Sequence, residues 1–136
     1  MHRTACAALL LLGACASAQQ CTTTREELTE ARAIQDARRI RDQLNDPDSM
    51  RVSSFLYYEP DNPKQHFLCV KFRAKNEYGA MVMQTFLANA CQQDTGQFGD
   101  EESADVAWSV LCRGEIVRDG TEPVKAALKA DRAKDE

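Results

Sequence analysis

The chain has 136 residues, with 17 Lys and Arg against 21 Asp and Glu, a formal net charge of −4 at pH 7 and 43% hydrophobic residues. That length suits one domain with one modest core and leaves no comfortable room for a second. The acidic balance, with both signs interspersed, lacks the basic footprint of a nucleic-acid binder, so nucleic acid is excluded as a partner on charge grounds.

The N-terminal segment carries an export signature. Arg3 precedes an apolar run from Ala5 to Ala14, and Ala16-Ser17-Ala18 follows as a small-residue cleavage site. The run is shorter than the roughly 20 apolar residues of a bilayer span. Two processing sites overlap. Cleavage after Ala18 predicts a signal peptide of residues 1–18 and a free domain of residues 19–136. Leu11-Leu12-Gly13-Ala14-Cys15 also looks like a bacterial lipobox, which predicts loss of residues 1–14 and lipidation of Cys15. Either way the predicted address is the bacterial envelope, as a periplasmic or secreted protein or as a lipoprotein whose only membrane contact is its lipid.

Thr24 followed by Glu27 is a capping-box pattern, and it predicts the start of a long amphipathic helix. Ala33, Ala37, Ile40 and Leu44 share one face with Ile34 at its margin, while Arg32, Asp36, Arg39 and Gln43 fall elsewhere. Asp46-Pro47 ends the run after roughly five to six turns, because the residue before proline is pushed out of the helical region. Val52 to Tyr58 reads as a strand closed by the turn residues Pro60 to Pro63, and His66 to Arg73 as a second strand. After the turn Lys75 to Gly79, residues 80–87 fit a strand or a short helix, and the short connection favours a hairpin. Residues 88–104 read as a long polar loop. Val106, Trp108, Val110 and Cys112 alternate with Ala107, Ser109 and Leu111, which predicts a last strong strand, and a short helix follows from Thr121 to about Ala133. The predicted fold is therefore α+β, a long N-terminal amphipathic helix packed on a small, mainly antiparallel sheet with a short C-terminal helix.

Cys6 is lost with the leader and Cys15 is lost or acylated, which leaves Cys21, Cys69, Cys91 and Cys112. An even set in an oxidising compartment predicts two disulfides, and their scatter does not match the close pairs of a zinc motif. In a plain meander Cys69 and Cys112 lie two strands apart, roughly 9–10 Å at the usual strand spacing, beyond the reach of a disulfide. Pairing them requires the last strand to lie beside the Cys69 strand and Cys21 to reach Cys91; that combination is favoured.

Asp46-Pro47-Asp48-Ser49, then Cys69 and Ala74-Lys75-Asn76-Glu77-Tyr78-Gly79-Ala80, resembles a family of small bacterial secreted proteins and lipoproteins of unassigned activity. Its pattern has D-P-x-S near a strand start and C-G-x-x-N-x-K-N-x-[FY]-G-[GA] after it. Val70 and Arg73 depart from the pattern, and the resemblance spans roughly residues 28–87. It implies a bacterial envelope address and a shared fold. Read physically, Asn76 and Gly79 suit a tight turn, Tyr78 packs over it, and Asp46 and Ser49 organise the helix-to-strand corner. Asp46, Ser49, Lys75, Asn76, Tyr78 and Gly79 are also the candidates for an exposed functional rim.

Catalytic chemistry is thinly represented. His66 is the only histidine after processing, its neighbours Gln65 and Phe67 are neither nucleophile nor orienting carboxylate, and no catalytic residue, cofactor or metal ligand is assigned. Asp94, Asp100, Glu101, Glu102 and Asp105 do not follow the spacing of a calcium loop. Among the aromatics Tyr57, Tyr58, Phe67, Tyr78, Phe98 and Trp108, most are expected in the core. The expectation is a non-enzymatic envelope module that binds an unknown protein or small ligand. Its alternatives are an inhibitor of an extracellular hydrolase, with the 88–104 loop as plug, and a small hydrolase using carboxylates such as Glu59, Asp61 or Glu77. The sequence specifies no oligomeric state.

Overall fold

The computed structural model describes residues 21–61, 63 and 65–136, with residues 101–105 described by their backbone alone. The expected signal segment and the lipidation candidate Cys15 lie outside the described residues. Thr24 does open a turn, its N–H donating to Glu27 Oε2 at 3.2 Å, but only the 3-10 turn Arg25–Glu27 follows. Leu28 is fully buried, and the chain bends at it to deliver the side chain to the core. Thr29 then caps helix α1 (Glu30–Arg41) by accepting from the Arg32 N–H at 3.1 Å. The long N-terminal helix is thus corrected to a helix of 12 residues. A buried leucine and a second threonine cap interrupt what the periodicity joined.

Ala33, Ala37 and Ile40 form the buried face of α1, with Ile34 and Leu44 packed at its edge. Asp36, expected off that face, is fully buried as well. Its Oδ2 accepts from the Tyr57 hydroxyl at 2.5 Å, and its two oxygens accept from Arg32 Nε at 3.0 and 3.1 Å. A carboxylate tolerates such burial only when it is paired and hydrogen-bonded. The arginine one turn back and the tyrosine on the sheet supply both.

The sheet has five strands in the order β4-β3-β2-β1-β5, every neighbouring pair antiparallel. They are β1 (Arg51–Glu59), β2 (Phe67–Lys75), β3 (Met81–Asn89), β4 (Gln97–Asp100) and β5 (Glu115–Asp119). Residues 80–87, which fitted either element, lie almost wholly within strand β3. One sheet face is the core, built from Val52, Phe55, Tyr57, Leu68, Val70, Phe72 and Phe86 under α1 and α3 (Thr121–Lys134). A bulge between Val52 and Ser54 shifts the alternation of β1, so that Val52 and Phe55 face the same way. Helix α3, at 14 residues, is the longest helix among the described residues and runs one residue past the end expected near Ala133. Its start is fixed to mid-sheet, where Gly120 N–H donates to the Phe55 carbonyl at 2.8 Å and Thr121 Oγ1 accepts from the Phe55 N–H at 3.0 Å. An added Cβ on Gly120 would meet Ala33 Cβ at 2.8 Å, so glycine is what lets α1 pass that close.

The predicted strand at 106–112 is instead the end of helix α2 (Glu101–Leu111). Its alternation did not report burial, for Val106 and Val110 are 74% and 57% exposed. Glu101 and Glu102 suit the first turn of a helix, where the backbone dipole favours acids. Residues 88–104 are likewise not a plain loop but hold the 3-10 turn Gln93–Thr95, β4 and the start of α2. Helix α2 carries the chain from the β4 edge toward the β5 edge, over the sheet face opposite α1 and α3. Among the described residues the fold is a five-stranded antiparallel sheet with three short helices, which replaces the long-helix arrangement read from the sequence.

Candidate functional site

The ladder between β2 and β3 defines two ends of the sheet, with Phe67 opposite Asn89 at one and Lys75 opposite Met81 at the other. At the usual rise these ends are roughly 27 Å apart. The six rim residues lie together at the Lys75 end. Ser49 closes the 3-10 turn Pro47–Ser49, donating its hydroxyl to the Asp46 carbonyl at 2.6 Å and accepting from the Lys75 N–H at 2.8 Å. Lys75 Nζ sits 3.8 Å from Asp46 Oδ2. Asn76 Oδ1 accepts from the N–H groups of Tyr78 and Ala80 at 2.9 and 3.0 Å, and Gly79 takes φ +81°, a left-handed conformation that favours glycine. The result is a turn braced from inside and tied to the neighbouring corner, with the Tyr78 side chain standing out of it at 85% exposure. The sequence reading packed Tyr78 over the turn; its ring is presented to solvent.

This turn separates two shallow concavities. One, of about 380 Å³, is lined by Asn45, Asn76, Glu77, Val82, Phe98 and Asp100 among others. The other, of about 210 Å³, is lined by Asp46, Asp48, Ser49, Arg51, Lys75 and Met81. Met81 and Phe98, 38% and 40% exposed, add apolar surface beside the rim and were not singled out in that role by sequence. Both stand next to segments that were read, and no local pattern distinguishes an edge-exposed residue from a core one.

A second polar cluster lies at the opposite end. His66, 1% exposed, has Nδ1 at 2.9 Å from Thr23 Oγ1 and Nε2 at 3.3 Å from Glu59 Oε1. The other Glu59 oxygen accepts from Arg25, whose guanidinium also binds Glu115 at 2.7 Å. Arg25 holds the Glu59 carboxyl below the usual range. The order hydroxyl, imidazole, carboxylate is that of a nucleophile, base and orienting acid. With Thr23 only 5% exposed, however, its oxygen is closed to substrate, and the cluster acts as a latch on the N-terminal segment. Sequence could not pair these groups, because Thr23 is 43 positions from His66.

The carboxylates considered for hydrolysis do not converge. Glu59 is in the latch, Asp61 is solvent-exposed beside Arg113 at the same end, and Glu77 is on the rim turn. Of the acidic set, Asp94 is in the 3-10 turn and Asp100 ends β4, while the side chains of Glu101, Glu102 and Asp105 are not described. Among the described residues no group of three or more His, Cys, Asp or Glu is placed to hold a metal ion.

Disulfides join Cys21 to Cys91 and Cys69 to Cys112, with Cα separations of 5.8 and 6.2 Å. The second does not need adjacent strands, since β5 pairs with β1 and it is the end of α2 that sets Cys112 over β2. Lys71 Nζ reinforces the contact, 4.8 Å from the Trp108 ring. Two disulfides fit an oxidising compartment, extracellular or periplasmic, and no helix among the described residues is long and apolar enough to cross a membrane. No protein-family model, curated protein or solved structure matches the chain.

Proposed function

We propose that this is an exported bacterial envelope protein, kin to the small secreted proteins and lipoproteins whose motifs it shares, and that it works as a binding module. Its N-terminus is processed either to Gln19 or to a lipidated Cys15, and the intact mass of the extracted protein distinguishes the two. The observation that carries the binding role is Tyr78, a fully presented aromatic on a turn whose backbone is pinned by Asn76 and Ser49. Tyrosine on a preordered turn supplies contact area at low entropic cost, which is why such residues dominate binding hot spots. The concavities on either side suit a partner protein that grips the turn from both flanks.

A photo-crosslinking residue placed at Tyr78 tests this in cells that produce the protein. A discrete adduct is expected from position 78 and from position 77, and none from Lys134 at the end of α3. Equal yields from the rim and from Lys134, or no adduct at the rim, refute the assignment.

A further inference from the structure

Between α3 and the start of β1 lies a cavity of about 220 Å³ whose floor is Met50, Val52 and Leu128 and whose mouth is ringed by Arg51, Lys125, Lys129 and Arg132. The floor residues are 1%, 6% and 2% exposed, so apolar surface is recessed beneath four cations. Those cations are poorly neutralised. Lys125 shares Glu122 at 3.7 Å, and it is the only one of the four in an ion pair among the described residues. Arg51 and Arg132 spend donors on the Met50 carbonyl, at 3.0 and 3.4 Å. Asp131, next to Arg132 in sequence, is bound instead by Arg38 and Arg41 on α1. Burial first, and then the Arg51 charge, holds Arg132 below the usual arginine value, and the charges of Asp48 and Asp131 offset that only in part.

The geometry points to a binding site for a small anionic amphiphile, a carboxylate or phosphate carried on a short alkyl chain or a single ring. The head would meet the arginine and lysine ring, where charge-assisted hydrogen bonds are strongest, and the tail would cover Met50, Val52 and Leu128. The cavity is smaller than the roughly 300 Å³ at which drug-sized pockets begin, so it excludes a two-chain lipid. A bilayer surface is also a poor fit, because membrane association uses protruding apolar side chains and these are recessed. The occupant is therefore a free, monomeric ligand. The site adjoins the smaller rim concavity through Arg51, which lines both, but does not depend on the role of Tyr78.

Octyl phosphate is the probe, titrated into the oxidised, exported chain and followed by backbone amide chemical shifts. Saturable shifts centred on Met50, Val52 and Leu128 are expected. Inorganic phosphate and octyl glucoside each supply half of the ligand and should bind roughly tenfold more weakly or less, given the weight of each buried methylene. The exposed double variant Lys125→Glu with Lys129→Glu should weaken octyl phosphate by roughly tenfold or more. Leu128→Trp, which fills the cavity, should abolish binding; if it does not fold, the charge variant alone decides. The proposal is overturned if phosphate or octyl glucoside binds as tightly as octyl phosphate. It is equally overturned if the shifts centre elsewhere, if the charge variant binds unchanged, or if only phosphatidylglycerol vesicles bind.

Discussion

Replacing Tyr57 by phenylalanine removes one buried donor and leaves the ring. Tyr57 is fully buried in β1, and its hydroxyl gives Asp36 a bond of 2.5 Å. A hydrogen bond to a charged group contributes about 1.5–3 kcal/mol, so Tyr57→Phe should lose about 2 kcal/mol in urea unfolding at pH 7, with an unchanged slope against denaturant. The same geometry sets a pH dependence. Burial, and then the charge of Asp36, hold the Tyr57 phenol well above its ordinary value. Above about pH 10 the unfolded chain releases that proton and the folded chain keeps it, so stability falls with rising pH, approaching about 1.4 kcal/mol per unit. By pH 11 the natural protein should have lost about 1.4 kcal/mol through this group and the variant nothing, which shrinks the gap between them from about 2 to under about 1 kcal/mol. Urea curves at pH 7, 10 and 11 measure that gap. If it stays constant from pH 7 to pH 11, the phenol ionises as readily in the folded chain as in the unfolded one, and the account of this buried network is wrong.

Removing both Cys69 and Cys112 as alanines opens a loop with a sequence separation of 43. The loop-entropy relation then gives a loss of about 4 kcal/mol, to be read by urea unfolding, and a loss below about 1 kcal/mol would show that α2 is held without its disulfide. The guanidinium of Arg38, helped by Arg41, holds the Asp131 carboxyl down to about 2. Its stabilisation is therefore present above about pH 4, the ordinary aspartate range, and lost as pH falls toward 2. Asp131→Asn should flatten that part of the acid limb in urea midpoints taken at pH 5 and pH 2.5; an unchanged decline refutes the assignment. Gly79→Ala meets no atom within 4 Å at φ +81°, so its cost is backbone conformation alone, about 1 kcal/mol. Thermal and urea unfolding should agree on that figure, and a loss above about 3 kcal/mol would point to a clash that the turn does not contain.

Strands β1, β2 and β3 were legible because one face of each is buried, as Leu68, Val70 and Phe72 alternate in β2, whereas the edge strands β4 and β5 bury no residue and carry no such pattern. The corner and turn were legible for a different reason, since Asp46, Ser49, Asn76 and Gly79 each satisfy nearby backbone groups. What escaped was decided at long range. Asp36 looks like a solvent residue until Tyr57, 21 positions away, supplies its hydrogen bond. Leu28 looks like one more helical residue until the core claims it. Helix α2 misled because it lies on the surface, where Val106 and Val110 remain exposed and apolar spacing no longer reports which side is buried. The rim residues were nameable one at a time, but their assembly beside Met81 and Phe98 follows from strand register, which no local window contains.

The two disulfides overlap along the chain, one spanning residues 21–91 and the other 69–112. Every peptide bond from residue 21 to 112 therefore lies inside at least one closed ring, and those from 69 to 91 lie inside both. A protease that cuts once anywhere in this span produces a nick and releases nothing. Exposed turns are where such cuts concentrate, and the Tyr78 turn falls in the doubly ringed stretch, its flanks also joined by the β2–β3 ladder. Cleavage there would leave the tyrosine tethered to the domain through the ladder and two covalent crosslinks. The element most open to attack is thus also the one least easily lost.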